Sequence, residues 1–137
     1  MTTIKNTNKS SIILATEALE EGNLVSFPTE TVYGLGGDAT NNLAIAKIFE
    51  TKNRPEFNPL IIHFASFDQI EENCEINDDI KKLNDLFWPG PMTIILKKKK
   101  ESKISNLASA NLDTIGVRIP NNICLLYTSD AADDLVG

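Results

Sequence analysis

The sequence has few of the residues that build metal sites and disulfide frameworks. It contains two cysteines, Cys74 and Cys124, without a CxxC spacing, and a single histidine, His63. A protein metal site needs a cluster of such ligands, and small secreted domains need paired cysteines. We therefore predict no metal site formed by the protein and two ordinary thiols in a cytoplasmic chain.

Long apolar runs and an excess of positive charge are also missing. No run approaches bilayer-spanning length, and residues 1–5 do not form a secretory signal. The net charge of −6 opposes non-specific binding to nucleic acid. The conspicuous cationic run, at residues 97–100, follows an apolar segment and indicates a solvated hairpin end, with contact to a polyanion as the alternative. We expect no association with a membrane.

The residues that are present predict one α/β domain. The chain has 137 residues, 42% of them hydrophobic, which is enough for a folded core. Periodicity predicts a first helix capped by Ser10 or Ser11 and ended by Gly22, followed by helices at 41–52, 66–72 and 78–87. Asn41 or Asn42 would cap the second helix, whose predicted apolar stripe is Leu43, Ala46, Ile48 and Phe49. Apolar runs predict strands at 24–27, 60–65, 92–96 and 114–119. Alternating strands and helices predict a sheet flanked by helices, and the rigid turn at 88–91 favours a mixed sheet with antiparallel returns.

The most informative stretch covers residues 26–38. A short apolar strand leads to Pro28, which cannot donate to a strand ladder and is expected to end it. Gly34, Gly36 and Gly37 follow, and the side chains between proline and glycines are mostly polar: Thr29, Glu30, Thr31 and Tyr33. Two interpretations stay open, a ligand loop at a strand end and a plain glycine-rich turn. The spacing matches neither the dinucleotide fingerprint nor the Walker A loop.

Further polar residues lie where the second predicted helix ends. Lys52 and Arg54 are cations at a helix C-terminus, where the helix dipole alone favours them. Because Asn58 and His63 follow within a few residues, a phosphate-binding group is the functional alternative. His63 itself lies in an apolar strand, either as a core histidine bonded to a backbone carbonyl or as a neutral imidazole that holds a substrate group.

The last predicted strand carries Arg118 between two apolar residues. A buried arginine needs a partner, which is either a structural carboxylate such as Glu30 or the carboxylate of an anionic substrate. Period-two alternation places Thr114, Gly116 and Arg118 on one face. The sequence offers no acyl-transfer triad, so an enzyme of this kind would work by positioning its reactants and neutralising charge.

Four motifs in order resemble the YrdC-like family of threonylcarbamoyl-adenylate synthases. They are FPTETVYGLG at 27–36, KNRP with NPLI at 52–61, WPGPMT at 88–93 and DTIGVRIP at 113–120. The resemblance covers roughly residues 11–122. It implies a domain over residues 1–122, with a twisted mixed parallel and antiparallel sheet flanked by helices around a concave basic cavity.

The resemblance also implies a reaction. L-Threonine, bicarbonate and ATP, with Mg²⁺, would give threonylcarbamoyl-AMP and pyrophosphate, making the chain a nucleotidyltransferase of tRNA processing. By position, Thr31, His63 and Arg118 would bind threonine, and the ATP contacts would be Lys52, Arg54, Asn58 and Thr114. No residue would bond covalently to substrate.

The product would pass to a tRNA threonylcarbamoyl transferase that modifies adenosine 37, with at most a weak contact to tRNA or double-stranded RNA. Two rivals are a non-catalytic nucleotide- or RNA-binding module of the same fold and a carbamoyl-transfer domain like that of hydrogenase-maturation proteins. The latter are long chains with zinc-finger-like cysteines, which this sequence does not have.

Residues 123–137 depart from the family pattern. The family continues with a helix, a strand and a Ser-x-Asn motif, and no such motif with that context follows here. We expect this tail to be non-native, resembling translated adapter sequence. An uncovered sheet edge and an incomplete nucleotide site would then make the chain marginally stable and weakly active or inactive.

Overall fold

The computed structural model describes residues 9–28, 33–51, 59–121 and 134–136. Their helices and strands are, in chain order, α1 (Lys9–Glu20), β1 (Val25–Pro28), β2 (Tyr33–Gly36), α2 (Asn42–Thr51), β3 (Ile61–Phe64), α3 (Phe67–Asn73), α4 (Asp78–Phe87), β4 (Ile94–Lys97), β5 (Thr114–Arg118) and β6 (Asp134–Val136). The predicted α/β class is confirmed. Among these described helices, none is long and apolar enough to cross a bilayer.

The larger sheet has the strand order β4-β5-β3-β6. Its two central strands, β3 and β5, run parallel, while β4 and β6 pair antiparallel at the edges. The sheet is therefore mixed, as predicted, and β3 is a central strand, as its apolar composition indicated. The predicted boundary between residues 122 and 123 lies outside the described residues, so that boundary stays a prediction.

The glycine segment forms a strand rather than a loop. β2 pairs antiparallel with β1, with Val25 opposite Gly36 and Phe27 opposite Gly34. Pro28, expected to end the ladder, is the last residue of β1 and lies opposite Tyr33. Proline is tolerated at such an end, and glycine propensity is too weak to outweigh the pairing. Thr31 and its neighbours at 29–32 fall outside the described residues.

The core lies on one face of the larger sheet, against α2 and α3. Its fully buried side chains include Ile62 and Phe64 from β3 and Ile115 and Val117 from β5, packed in one cluster with Ile45, Ile48 and Ile70 from the helices. Each such side chain contributes about 1.5–3 kcal/mol when it leaves water. The residues that alternate with this cluster along β3 and β5, among them His63 and Arg118, point to the opposite face.

Three helices begin with a short polar side chain as the N-cap, which is the residue type favoured at that position. Asn41 Oδ1 accepts from the amides of Leu43 and Ala44, at 3.0 and 3.2 Å, so the predicted cap of α2 is confirmed. Ser66 caps α3 and Asn77 caps α4 in the same way. These bonds satisfy amides that have no partner within the helix.

One prediction about the helices is wrong, and another is right only in part. Ser10 and Ser11 lie inside α1, which begins at Lys9, so neither is its cap. Leu43, predicted in the apolar stripe of α2, is 75% exposed, while Ala44 and Ile45 are buried. Ile48 and Phe49 are buried as predicted, so the spacing identified the second half of the stripe and misplaced its first turn.

The turn at residues 88–91 ties two strands together. The Trp88–Pro89 peptide is cis, and Trp88 Nε1 donates to the carbonyl of Met92 at 2.7 Å. The amide of Gly90 donates to the carbonyl of Ile119 at 2.9 Å. The start of β4 is thereby held beside the end of β5, and the predicted tight turn is confirmed.

The lysine run is only partly solvated, which corrects the prediction of a solvated hairpin end. Lys97 and Lys100 are exposed, but Lys98 and Lys99 are half-buried. The Lys98 ammonium donates to three oxygens of the following loop, on Asn106 at 2.7 Å, Ser109 at 3.4 Å and Ile104 at 3.5 Å. Lys99 Nζ donates to the carbonyl of Glu71 at 2.6 Å. These ammonium groups hold the long β4–β5 connection to the domain.

Candidate functional site

His63 and Arg118 are neighbours on the two central strands. β3 and β5 pair in parallel register, with Ile61 opposite Gly116 and His63 opposite Arg118. Paired residues of adjacent strands point to the same face, so both side chains lie on the face opposite the main core. They stand at the carboxyl ends of parallel strands, the edge at which α/β sheets bind ligands.

His63 is a buried imidazole with an unsatisfied atom. The residue is 6% exposed, and its Nδ1 atom has no hydrogen-bond partner within the described part of the chain. Burial, and secondarily the charge of Arg118, lowers the pKa of His63 from 6.5 to about 4, so the ring is neutral at pH 7. An orphaned buried polar atom costs about 1–3 kcal/mol, which a ligand group could recover.

Arg118 is half-buried and is held by a hydroxyl group. Its Nε and Nη2 atoms donate to Thr93 Oγ1, at 3.1 and 2.7 Å. The structural carboxylate considered for it, Glu30, lies outside the described residues. A guanidinium has five N–H donors, and three of them are not engaged by Thr93. A guanidinium pairs with a carboxylate through two parallel bonds, so the edge that Thr93 does not engage is suited to an anion.

Thr114 lies on the same face as Arg118, at the other end of β5. The two residues are four positions apart, which is about 13 Å along a strand. Thr114 is half-buried and lies opposite Lys97 of β4. The two side chains can therefore contact different parts of a nucleotide-sized ligand, but they cannot share one small group.

Gly116 lies between these two residues on β5 and places no side chain on this face. A Cβ atom at this position would lie 3.3 Å from Thr93 Cγ2 and 3.4 Å from Ile95 Cδ1. Glycine therefore allows the side chains of Thr93 and Ile95 to pack over the backbone of β5. A ligand on this face would meet backbone and apolar carbon between Thr114 and Arg118.

Four of the predicted site residues lie outside the described residues: Thr31, Lys52, Arg54 and Asn58. Their roles stay predictions, as does the concave basic cavity. One hollow in the described part, of about 540 Å³, lies at the lysine run and includes no predicted site residue. Across the described ranges, no group of three His, Cys, Asp or Glu side chains could hold a metal ion.

Thr93 is a residue of the candidate site that the sequence did not identify. It is the last residue of the WPGPMT motif, and nothing in that motif indicates a contact with Arg118. The pairing of β4 with β5 begins with Ile94 opposite Val117, which places Thr93 opposite Arg118 one residue earlier. The contact follows from the antiparallel register of β4 and β5. This register could not be read from the sequence.

Comparison with known proteins matches the chain to one family. The family model named Sua5_yciO_yrdC and described as "Telomere recombination" matches residues 17–134. The chain is 47% identical over 110 residues to the threonylcarbamoyl-AMP synthase of Pyrococcus abyssi, covering 80% of this chain and 32% of that protein. It is 42% identical over 118 residues to the Bacillus subtilis protein of the same name, covering 85% of this chain and 34% of that protein.

A solved structure agrees with these matches. The crystal structure of P. abyssi Sua5 complexed with L-threonine superposes with a TM-score of 0.88 at 40% identity, covering 96% of this chain and 39% of that one. The chain thus spans about a third of the length of the two curated relatives that it matches.

Proposed function

The chain belongs to the Sua5/YciO/YrdC family, and from this premise we propose that it carries the threonine- and nucleotide-binding part of a threonylcarbamoyl-AMP synthase. The reaction would join L-threonine, bicarbonate and ATP and release pyrophosphate. The P. abyssi and B. subtilis relatives that bear this name are 47% and 42% identical to the matched part of the chain. The relative crystallised with L-threonine supports an amino-acid substrate.

The observation that carries the proposal is the His63–Arg118 pair. A guanidinium with three donors that Thr93 does not engage lies beside a neutral, buried imidazole whose Nδ1 atom has no partner among the described residues. Arg118 would bind the threonine carboxylate through charge-assisted hydrogen bonds, and such a bond is worth about 1.5–3 kcal/mol. His63 would hold a polar group of the same amino acid, because a neutral ring can donate or accept without adding charge.

The proposed chemistry balances without a covalent enzyme intermediate. The threonine amine attacks bicarbonate, water leaves, and an N-carboxylate forms on threonine. An oxygen of this carboxylate then attacks the α-phosphorus of ATP, the bond to the bridging oxygen breaks, and pyrophosphate leaves with the electron pair. The chain's part is to hold the amino acid and the triphosphate within reach of each other.

The ATP contacts in this proposal are Lys52, Arg54, Asn58 and Thr114. Lys52 and Arg54 would neutralise phosphate oxygens, and the position of Thr114 about 13 Å along β5 from Arg118 leaves room for a nucleotide beside threonine. Mg²⁺ would accompany the triphosphate and screen its charge.

The product is a mixed anhydride, so a transferase must consume it before water does. We propose that this transferase delivers the threonylcarbamoyl group to adenosine 37 of tRNA. The transferase would be the main partner of this chain, and any contact of the chain with tRNA would be weak. A cytoplasmic location follows from the tRNA substrate.

Pyrophosphate release tests the proposal. Release should require L-threonine and bicarbonate together, and mass spectrometry should detect threonylcarbamoyl-AMP. Arg118→Ala and Arg54→Ala should each abolish the threonine-dependent signal. The exposed Lys82 on α4 provides the control, because Lys82→Ala removes a cation from a helix that supplies no residue of the proposed site and should leave release unchanged.

Binding measurements separate weak turnover from a wrong assignment. Calorimetric titration with L-threonine and with ATP should give saturable binding even where turnover is slow. Binding of ATP without threonine-dependent pyrophosphate would identify a non-catalytic nucleotide-binding module. Equal release by the parent chain and both arginine variants would refute the proposed site.

A further inference from the structure

We infer that Thr93 is a positioning residue, which aligns the Arg118 guanidinium for the carboxylate of the amino-acid substrate. This inference rests on the proposed function for the identity of the substrate. The alignment itself rests on contacts within the chain. Thr93 Oγ1 accepts from Nε and Nη2 of Arg118, at 3.1 and 2.7 Å.

The bonds to Thr93 select one orientation of the guanidinium. Both bonds come from the Nε–Nη2 edge of the planar group, so a single oxygen fixes the plane and the rotation about the last side-chain bond. The Nη1 donors and the second Nη2 donor are not engaged by Thr93 and are suited to an anion. An arginine without this contact would have to be ordered by the ligand, at the expense of binding free energy.

The orientation of Thr93 is itself fixed by Gly116. Thr93 Cγ2 would lie 3.3 Å from a Cβ atom at position 116, so the methyl group already occupies the space that a side chain there would need. Threonine is branched at Cβ and has few χ1 choices. With the methyl group over Gly116, the hydroxyl group is directed to Arg118.

The segment before β4 fixes the backbone of Thr93. Trp88 Nε1 donates to the carbonyl of Met92, the residue before Thr93, and the amide of Gly90 donates to the carbonyl of Ile119, the residue after Arg118. The two partners are therefore joined through both side chains and backbone. Once the fold has formed, the hydroxyl group is already in place.

The matched variants are Thr93→Val and Thr93→Ser. Valine keeps the shape and removes the oxygen, whereas serine keeps the oxygen and removes the methyl group that packs over Gly116. We expect Thr93→Val to weaken L-threonine binding about tenfold, while ATP binding stays within about twofold. Thr93→Ser should restore most of the loss, within about threefold of the parent chain.

The first readout does not depend on the substrate. The sequence contains two arginines, Arg54 and Arg118, so a proton–nitrogen NMR spectrum of the guanidinium Nε–H groups has two signals, and Arg118→Lys assigns them. In the ligand-free chain, Thr93→Val should shift the Arg118 Nε–H signal and speed its exchange with water. Thr93→Ser should leave it close to the parent position. An unchanged Arg118 signal in Thr93→Val overturns the inference, whatever the chain binds.

The second readout is calorimetric binding of L-threonine to the full chain. Tenfold weaker binding to Thr93→Val, rescue by serine and an unchanged melting temperature support the inference. Equal affinity of Thr93→Val and the parent chain overturns it while the proposed function stands. A parent chain that binds no L-threonine refutes the proposed substrate, and the substrate part of this inference is then wrong as well.

Discussion

Arg118 on the paired strands and Lys98 in the lysine run differ in how many of their N–H donors the described part of the chain engages. Arg118 is held by one hydroxyl oxygen and keeps three N–H donors unengaged by Thr93. The Lys98 ammonium has three donors, and three oxygens of its own loop accept from it. Thr93 therefore leaves most donors of Arg118 available for the proposed substrate contact, whereas the conspicuous run of lysines includes a structural cross-link. Charge density in a sequence does not distinguish these two uses.

The first test of this comparison concerns the buried imidazole beside Arg118. Burial lowers the pKa of His63 to about 4, so the unfolded chain takes up this proton at a higher pH than the folded chain does. The stability due to neutral His63 is complete above pH 6.5 and is lost as the pH falls toward 4, by roughly 3 kcal/mol in total.

Urea unfolding at pH 7 and pH 4.5 measures this loss. The parent chain should lose about 2–3 kcal/mol more than His63→Gln over that interval, since the carboxylates titrate alike in both proteins. Equal pH dependence of the two proteins would contradict the buried, neutral state of the ring.

A reciprocal exchange of cations tests the comparison directly. Arg118→Lys should weaken L-threonine binding about 10–100-fold with little change in stability, because an ammonium cannot form the two parallel bonds. Lys98→Arg should lower stability, since a planar fork does not fit acceptors arranged around an ammonium, and should leave L-threonine binding unchanged. If Arg118→Lys lowered stability and Lys98→Arg weakened L-threonine binding, the roles inferred for the two cations would be reversed.

The smallest effects belong to a graded series along the lysine run. Lys98→Met should lower the free energy of unfolding by about 1–3 kcal/mol, because part-buried oxygens of the loop lose their donor. Lys99→Met loses one bond, to the carbonyl of Glu71, and should cost about 0.5–1.5 kcal/mol. The exposed Lys100 is the matched control, and Lys100→Met should stay within about 0.5 kcal/mol of the parent chain. Equal effects at all three positions in urea unfolding would show that the run is a uniform surface.

The elements with strong local patterns were predictable from the sequence. The apolar runs at β3 and β5 and the capped helices α2, α3 and α4 lie within about two residues of their predicted bounds. Each of these strands is a short apolar run, and each of these helices starts at a capping side chain. The strand β2 was missed because three of its four residues, unlike Tyr33, carry little strand propensity or none, and its pairing partner decides its conformation.

The sequence could predict which site residues share a face only where they lie on the same strand. Alternation along β5 placed Thr114 and Arg118 on one face, and the same rule holds for His63 on β3. The contact of Thr93 with Arg118 depends on the register between two strands, which local spacing does not contain. The bonds of Lys98 depend in the same way on how a loop closes.

The bond from Gly90 to Ile119 has a consequence for how the domain opens. Because this bond and the Trp88–Met92 bond bracket the residues that hold Arg118, the loop cannot detach without releasing the arginine. Amide hydrogen exchange at Gly90 should therefore be slow and should follow the same cooperative opening as the amides of the central strands. An arginine that binds substrate from a mobile segment would have to be reordered at each turnover, whereas here its order is maintained by the stability of the sheet itself.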